Sequence, residues 1–199
     1  MTASLHLPLL LHRHRGTLSA VLSGDRRYRY RLGRRWDCEL PTLGVVMLNP
    51  STADEHGDDA TIRRVVGFAR QNGYGGIDVG NLYGLRSRDP KELWRHADPV
   101  GPDNDAHLEQ LSRSHDLVLL AWGASARQDR AAHVMQLLRR SSRKHGGAVA
   151  VLGWTQGGQP RHPLFVPNHT MLECLTFTSS GDLHQDEDPR WSRLMAVAA

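Results

Sequence analysis

The run Val45-Val46-Met47-Leu48, closed by Asn49-Pro50-Ser51, constrains the fold of this chain more than any other stretch. Four apolar residues without alternation make a strand that must be covered on both faces, as in a parallel sheet with helices on each side. Pro50 then stops the ladder, because it has no N–H to donate and disfavours a helical residue before it. Three further runs follow: Ile77 to Tyr83, Leu117 to Trp122, and Ala148 to Leu152. Between them lie segments of helical spacing, over 58–72, 103–114 and about 127–144, with a short helix from Pro90 to Trp94. In the first, Ile62, Val65, Val66 and Ala69 form one stripe, Asp58 or Asp59 is placed to cap, and Gly73 ends it. Thr17 to Leu22 and Arg27 to Leu32, around Ser23-Gly24-Asp25, read as an N-terminal β-hairpin. Tyr28, Tyr30 and Leu32 are expected on one of its faces and the arginines on the other. The pattern predicts an α/β chain: a three-layer α/β/α sandwich with a central, mostly parallel sheet of about four strands, plus the hairpin. Right-handed crossovers would bring the four strand tips to one edge.

At 199 residues the chain suits one domain. We expect an N-terminal tail over 1–16, a single α/β domain over 17–178, and a C-terminal tail over 179–199. No apolar run approaches a membrane span, and Met1 to Arg15 lacks the pattern of a signal peptide, so a cytoplasmic protein without membrane contact is expected. Cys38 and Cys174 have neither a CxxC spacing nor nearby histidines, and read as buried free thiols. The net charge of +4 permits a polyanionic partner. Arginines from Arg26 to Arg35, interleaved with Tyr28, Tyr30 and Trp36, suit phosphate contact and base stacking or, equally, a solvated strand face. No sign of an oligomeric state is carried by the sequence.

Ligands of open α/β sheets sit beyond the carboxyl ends of the strands. Asn49, Ser51 and Thr52 follow the first run, Asn81 and Tyr83 close the second, and Trp122 closes the third. An asparagine amide can pair with a carbonyl and an N–H together, which is how a nucleobase edge is read, and it can also orient water. Tyr83, Trp122 and Trp154 could stack on a planar ligand or pack in the core. His162 lies between Arg161 and Pro163 in a loop stiffened by prolines, where a histidine can donate to an oxyanion or act as a general acid. Arg86, Arg88 and Arg161 are candidates for phosphate contact. The acidic stretch holding Asp54, Asp58 and Asp59 offers oxygens to a hard cation, but its spacing matches no calcium loop, so these are weak metal candidates and no metal is assigned. Phosphate-loop and dinucleotide fingerprints are absent, and no cofactor is expected. Trp122-Gly123-Ala124-Ser125-Ala126 fails the GxSxG pattern of a serine hydrolase.

Six separated motifs occur in order: Met47 to Asp54, Asp59 to Arg64, Gly80 to Tyr83, Asp98 to Pro102, Ala121 to Gly123, and Gly158 to Leu164. Together they resemble the uncharacterised bacterial and phage family called domain of unknown function 1643, over about residues 26–166. The order of parts is also distantly similar to the uracil-DNA glycosylase superfamily, which has a parallel-sheet α/β/α fold. In that superfamily an Asn-Pro or Asp-Pro tip positions the attacking water, a later asparagine reads the base, and a His-Pro loop stabilises the departing base. The resemblance implies those roles for Asn49, Asn81 and His162. The superfamily's His-Pro-Ser is here His162-Pro163-Leu164, the acidic stretch has no counterpart, and the cysteine set of the iron-sulfur members is missing.

The expectation is therefore a protein that binds a nucleobase or nucleotide and hydrolyses an N-glycosidic bond in nucleic acid or nucleosides. In that reading Asn49 and His162 are catalytic, and Ser51, Thr52, Asn81, Tyr83, Arg86, Trp122 and Arg161 bind substrate. The alternatives are a non-catalytic module binding nucleic acid or a partner, and a nucleotide-processing enzyme dependent on a divalent metal.

Overall fold

A computed structural model describes residues 17–51, 57–142, 147–177 and 188–196. Its strands are β1 (Thr17–Leu22), β2 (Arg29–Arg35), β3 (Thr42–Met47), β4 (Gly76–Asn81), β5 (Leu117–Leu120), β6 (Ala148–Val151) and β7 (Glu173–Thr176). The helices are α1 (Ala60–Gln71), α2 (Asn104–Ser114), α3 (Gln128–Ser142) and α4 (Pro189–Met195), with 3-10 turns at Pro90–Trp94 and Pro163–Phe165. All seven strands form one sheet in the order β1-β2-β4-β3-β5-β6-β7. The neighbours β4, β3, β5 and β6 run parallel, while β1, β2 and β7 pair antiparallel. The sheet is thus larger than the expected four strands, and mixed rather than mostly parallel. The difference arises at the edges. The hairpin forms an antiparallel edge of the same sheet, with Leu32 to Arg35 paired against Val79 to Gly76. On the other side Cys174, whose run shows no helical or strand signature, pairs across from Ala150.

Layering follows from which residues each strand turns to which side. On one face α1 buries Ile62, Val65, Phe68 and Ala69 against Val45, Met47, Ile77, Val79 and Leu119. Asp59 caps this helix by accepting from the Ile62 N–H at 2.8 Å, and Gly73 leaves it at φ +80°, a conformation few L residues take. On the other face α2, α3 and α4 pack Leu108, Leu111, Val134, Met135 and Trp191 against Val46, Val118, Leu120 and Val151. Gly44 and Gly80 let α2 approach, since a Cβ at Gly80 would lie 2.8 Å from Leu108. Within the stretch expected to be a C-terminal tail, α4 buries Trp191 and Leu194, and the Trp191 ring meets Trp154 edge-on at 4.7 Å.

Several local expectations change. Tyr28 and Tyr30 are buried, stacked on each other at 6.2 Å, and Tyr30 stacks again on His107 at 4.8 Å, so these rings serve the core. Leu32 belongs to the opposite face, so the simple alternation from Tyr28 to Leu32 does not hold. Cys38 and Cys174 are exposed, the first in the loop after β2 and the second turned outward from the edge strand while Leu175 points in. No helix among the described residues is long and apolar enough to cross a membrane.

An ionic cluster lies on the α2 side of the sheet, at β4. Asp78 of β4 accepts from Arg31 through Nε at 2.8 Å and through Nη2, and from His115 Nε2 at 3.1 Å. Burial opposes ionisation of Asp78, but the hydrogen bonds from His115 and Arg31 outweigh it and hold its carboxyl below the ordinary range. Asp78→Asn should therefore destabilise the protein by about 3 kcal/mol at neutral pH, because Arg31 is left buried without its counter-charge. A carboxyl lowered by folding stabilises above its unfolded pKa and loses that contribution as pH falls through the folded value. Urea melts of wild type and Asp78→Asn should accordingly converge as pH drops below about 4.

Candidate functional site

The tips of β3 and β4 are bound to each other beyond the last ladder residues. Leu82 N–H donates to the Met47 carbonyl at 2.8 Å and Tyr83 N–H to that of Leu48 at 3.0 Å. Pro50 cannot extend the ladder by donation, but its carbonyl accepts from Ser87 N–H at 3.0 Å. Asn49 completes the clasp: its Nδ2 donates to the carbonyls of Ser87 at 2.9 Å and Pro50 at 3.1 Å. Both amide hydrogens are committed, which leaves Oδ1 as the group Asn49 can offer. Asn81, the last residue of β4, is 1% exposed. Its backbone carbonyl is held by Asn104 Nδ2 at 3.0 Å, and the same nitrogen reaches the Leu82 carbonyl at 3.2 Å. The Asn81 Nδ2 itself is buried without a hydrogen-bond partner. Leaving such a donor unmade costs about 1–3 kcal/mol, which sets Asn81 apart from the satisfied amide of Asn49.

A second assembly positions the histidine loop. Trp122, 1% exposed, donates from Nε1 to Gln159 Oε1 at 2.7 Å. Gln159 donates in turn from Nε2 to Gln128 Oε1 at 2.7 Å, and Gln128 donates to the Arg193 carbonyl of α4 at 2.8 Å. The loop folds back as a hairpin, with Thr155 N–H on the Gln159 carbonyl at 2.8 Å and Arg161 N–H on that of Gly153 at 2.9 Å. Gly123, at φ +78°, donates to the Pro160 carbonyl at 2.9 Å, and a Cβ there would come within 3.2 Å of the His162 Cβ. Arg64 of α1 clamps the far side, through Nε to the Pro163 carbonyl at 3.2 Å and through Nη2 to that of Val166. His162 itself caps the turn that follows: its Nδ1 accepts from Leu164 N–H at 3.3 Å. That bond selects the tautomer with the proton on Nε2. Burial pushes the imidazole pKa below its ordinary 6.5, with Asp59 opposing, so His162 is neutral at pH 7.

These tips surround one cavity of about 540 Å³, a volume suited to a small organic ligand. Of the residues singled out from sequence, Asn49, Ser51, Asn81, Arg88, Trp122, Arg161 and His162 line it. Tyr83 does not; it is buried with its ring edge-on to Trp94 at 5.3 Å. Nor does Arg86, which donates to the Arg26 carbonyl at 3.2 Å. Thr52 and Asp54 lie outside the described residues. Asp58 pairs with Arg34 at 2.6 Å, while Asp59 lines the cavity as the α1 cap. Among the described residues no three His, Cys, Asp or Glu side chains gather as a metal-holding group. Sequence reasoning gave no site role to Ser87, Thr155 and Phe165, which also line the cavity, as does Arg29. Thr155 was legible as part of the fourth tip. In sequence Arg29 reads only as one of several arginines suited equally to phosphate contact or to a solvated face, and it is 3% exposed.

Residues 29–164 match the family described as "Protein of unknown function (DUF1643)", and the chain belongs to that family. No curated protein and no solved structure matches it. The likeness to the uracil-DNA glycosylase superfamily therefore rests on the order of motifs alone.

Two measurements check this geometry. NMR titration of His162 should give a midpoint below 6.5, with the neutral Nε2–H tautomer above it. Gln159→Leu should lower unfolding free energy by about 1–3 kcal/mol, because the Trp122 indole N–H is then buried unpaired.

Proposed function

We propose that this cavity binds a nucleobase-bearing ligand and hydrolyses its N-glycosidic bond. The observation that carries the reading is the convergence of Asn49, Asn81 and His162 on one cavity, with the Asn81 Nδ2 buried and unpartnered. In the mechanism, Asn81 Nδ2 donates to an acceptor on the base edge, and the Trp122 wall excludes water around it. Asn49 Oδ1 accepts from a water and aims it at C1′. As the C1′–N bond breaks, its electron pair stays with the departing base, and the His162 Nε2–H donates to the negative charge that develops there. The water oxygen bonds to C1′ and its proton leaves to solvent. A neutral imidazole suits this role, since it donates a hydrogen bond without needing a counter-ion. The order of the Asn49, Asn81 and His162 motifs, similar to that of the uracil-DNA glycosylase superfamily, supports the same assignment.

A second reading, a non-catalytic binding module, draws on a different observation. Among the described cavity residues the one carboxylate is Asp59, and it is occupied in capping α1. Among the described residues no other carboxylate lines the cavity to take the water proton, and in this reading the pocket recognises a ligand without cleaving it.

Chromatography of free base released from nucleosides, nucleotides and single-stranded oligonucleotides separates the two. Hydrolysis should fall about a hundredfold in His162→Ala, the loss expected for one donor to developing charge. Asn81→Ala should weaken binding of the same substrate. Base release that persists at the wild-type rate in an Asn49→Ala, His162→Ala double variant would falsify the catalytic reading.

A further inference from the structure

The turn that follows His162 presents an aromatic ring to solvent at the mouth of the cavity. Phe165 is 77% exposed, and among the described residues with large exposed apolar side chains it alone lines the cavity. Its place is fixed by local geometry. Residues three apart in a 3-10 turn fall on one side of it, and His162, the cap of the turn Pro163–Phe165, stands three positions before Phe165. The two rings accordingly meet, with centroids 5.6 Å apart and planes tilted by 49°. The Phe165 N–H closes the turn on the His162 carbonyl at 3.0 Å, and Pro163 sets the backbone angle at its start. Both flanks are anchored: Pro163 and Val166 are buried, and Arg64 holds their carbonyls. A ring this exposed contributes little to packing, yet the turn that carries it has little freedom.

We infer that Phe165 contacts the ligand directly, its ring stacking on one face of the base while His162 meets the edge of the same base. The inference rests on the nucleobase reading above and adds the face of the base to the edge contacts already assigned. A base offers two different surfaces: polar groups in its plane, which amides and an imidazole can meet, and π-faces, which suit a flat apolar ring. Trp122 also lines the cavity, but its indole is 1% exposed and tied to Gln159, so it walls the interior. Phe165 stands at the opening, beside the imidazole, and can cover a base without displacing a packed neighbour. Stacking there withdraws apolar area of both partners from water and requires no opening of the fold. Because every base has a π-face, such a ring adds affinity for all of them and leaves the choice among bases to the in-plane groups.

Isothermal titration of the full chain with the common nucleosides and their monophosphates tests this. Phe165→Ala should weaken every one that binds by about tenfold or more, and leave their order of affinity unchanged. Phe165→Tyr and Phe165→Trp should keep the wild-type affinity, whereas Phe165→Leu, apolar but without a π-face, should not. Thermal melts of these variants should match the wild type, because the ring lies in solvent. In Phe165→Trp the bound base should quench the added indole emission, beyond any change in the native tryptophans of the wild type. Should Phe165→Ala destabilise the turn, the comparison of Phe165→Tyr with Phe165→Leu still decides. Wild-type affinity in Phe165→Ala or in Phe165→Leu overturns the inference while the nucleobase reading stands, and so does added emission that the ligand leaves unchanged. If no nucleoside or nucleotide binds the wild type, the nucleobase reading falls and the stacking role falls with it.

Discussion

The side-chain amide of Gln159 holds the two halves of the cavity together. One end accepts from the Trp122 indole, the other donates to Gln128, and Gln128 reaches the last turn of α4. A second side-chain link joins the same hairpin to β7, where the Trp154 Nε1 donates to Glu173 at 3.1 Å. The amide is 6% exposed, so each of its bonds forms in a low-dielectric setting where a missing partner is expensive. The geometry of the His162 loop is thereby coupled to the packing of α4, whose Trp191 rests against Trp154 in the same hairpin. Arg64 provides the opposing constraint from α1, on the other side of the sheet. The histidine loop is consequently held from both helical layers, although it contains no regular element longer than three residues.

The polar groups at the tips divide into those used by the fold and those left over. Asn49 illustrates the first kind, with both amide hydrogens given to backbone carbonyls across the β3 and β4 tips. Asn81 illustrates the second: its backbone is satisfied by Asn104, and its side-chain nitrogen is left buried without a partner. His162 is intermediate. One ring nitrogen is occupied in capping its own turn, which determines what the other can do. Donors aimed inward from rigid strand ends are an arrangement whose reorganisation cost is met by folding before any ligand arrives.

Most of the central fold was legible in the sequence. The four apolar runs correspond to the four parallel strands β3, β4, β5 and β6, and the α1 stripe and its caps fall within a residue or two of their expected places. The edges were less legible, for a physical reason. An edge strand such as β7 buries one side chain, Leu175, and pairs through backbone groups that every residue shares. Its residues need show no apolar pattern. Likewise α4 has seven residues and is secured by Trp191 and Leu194, a signal too short for periodicity. That Asn49 and Asn81 share one edge could be read from sequence because strand tips can be counted, whereas the Gln159 links join residues 31 and 37 positions apart.

The mixed character of the sheet bears directly on the site. Parallel strands deliver their carboxyl ends to one edge, and a wholly parallel sheet would line a cavity with those ends alone. Because β2 runs antiparallel to β4, it is the beginning of β2 that reaches the same edge, and Arg29 is its first residue. Its N–H donates to the Gly84 carbonyl at 2.9 Å, on the loop that follows the Asn81 tip. The arginine-rich hairpin, whose pattern suited phosphate contact and a solvated face equally, is in this way drawn beside the asparagines. A chain ending its parallel core with β4 could offer amides and a histidine. With β2 added in the reverse direction, the same cavity has a buried cation at one end.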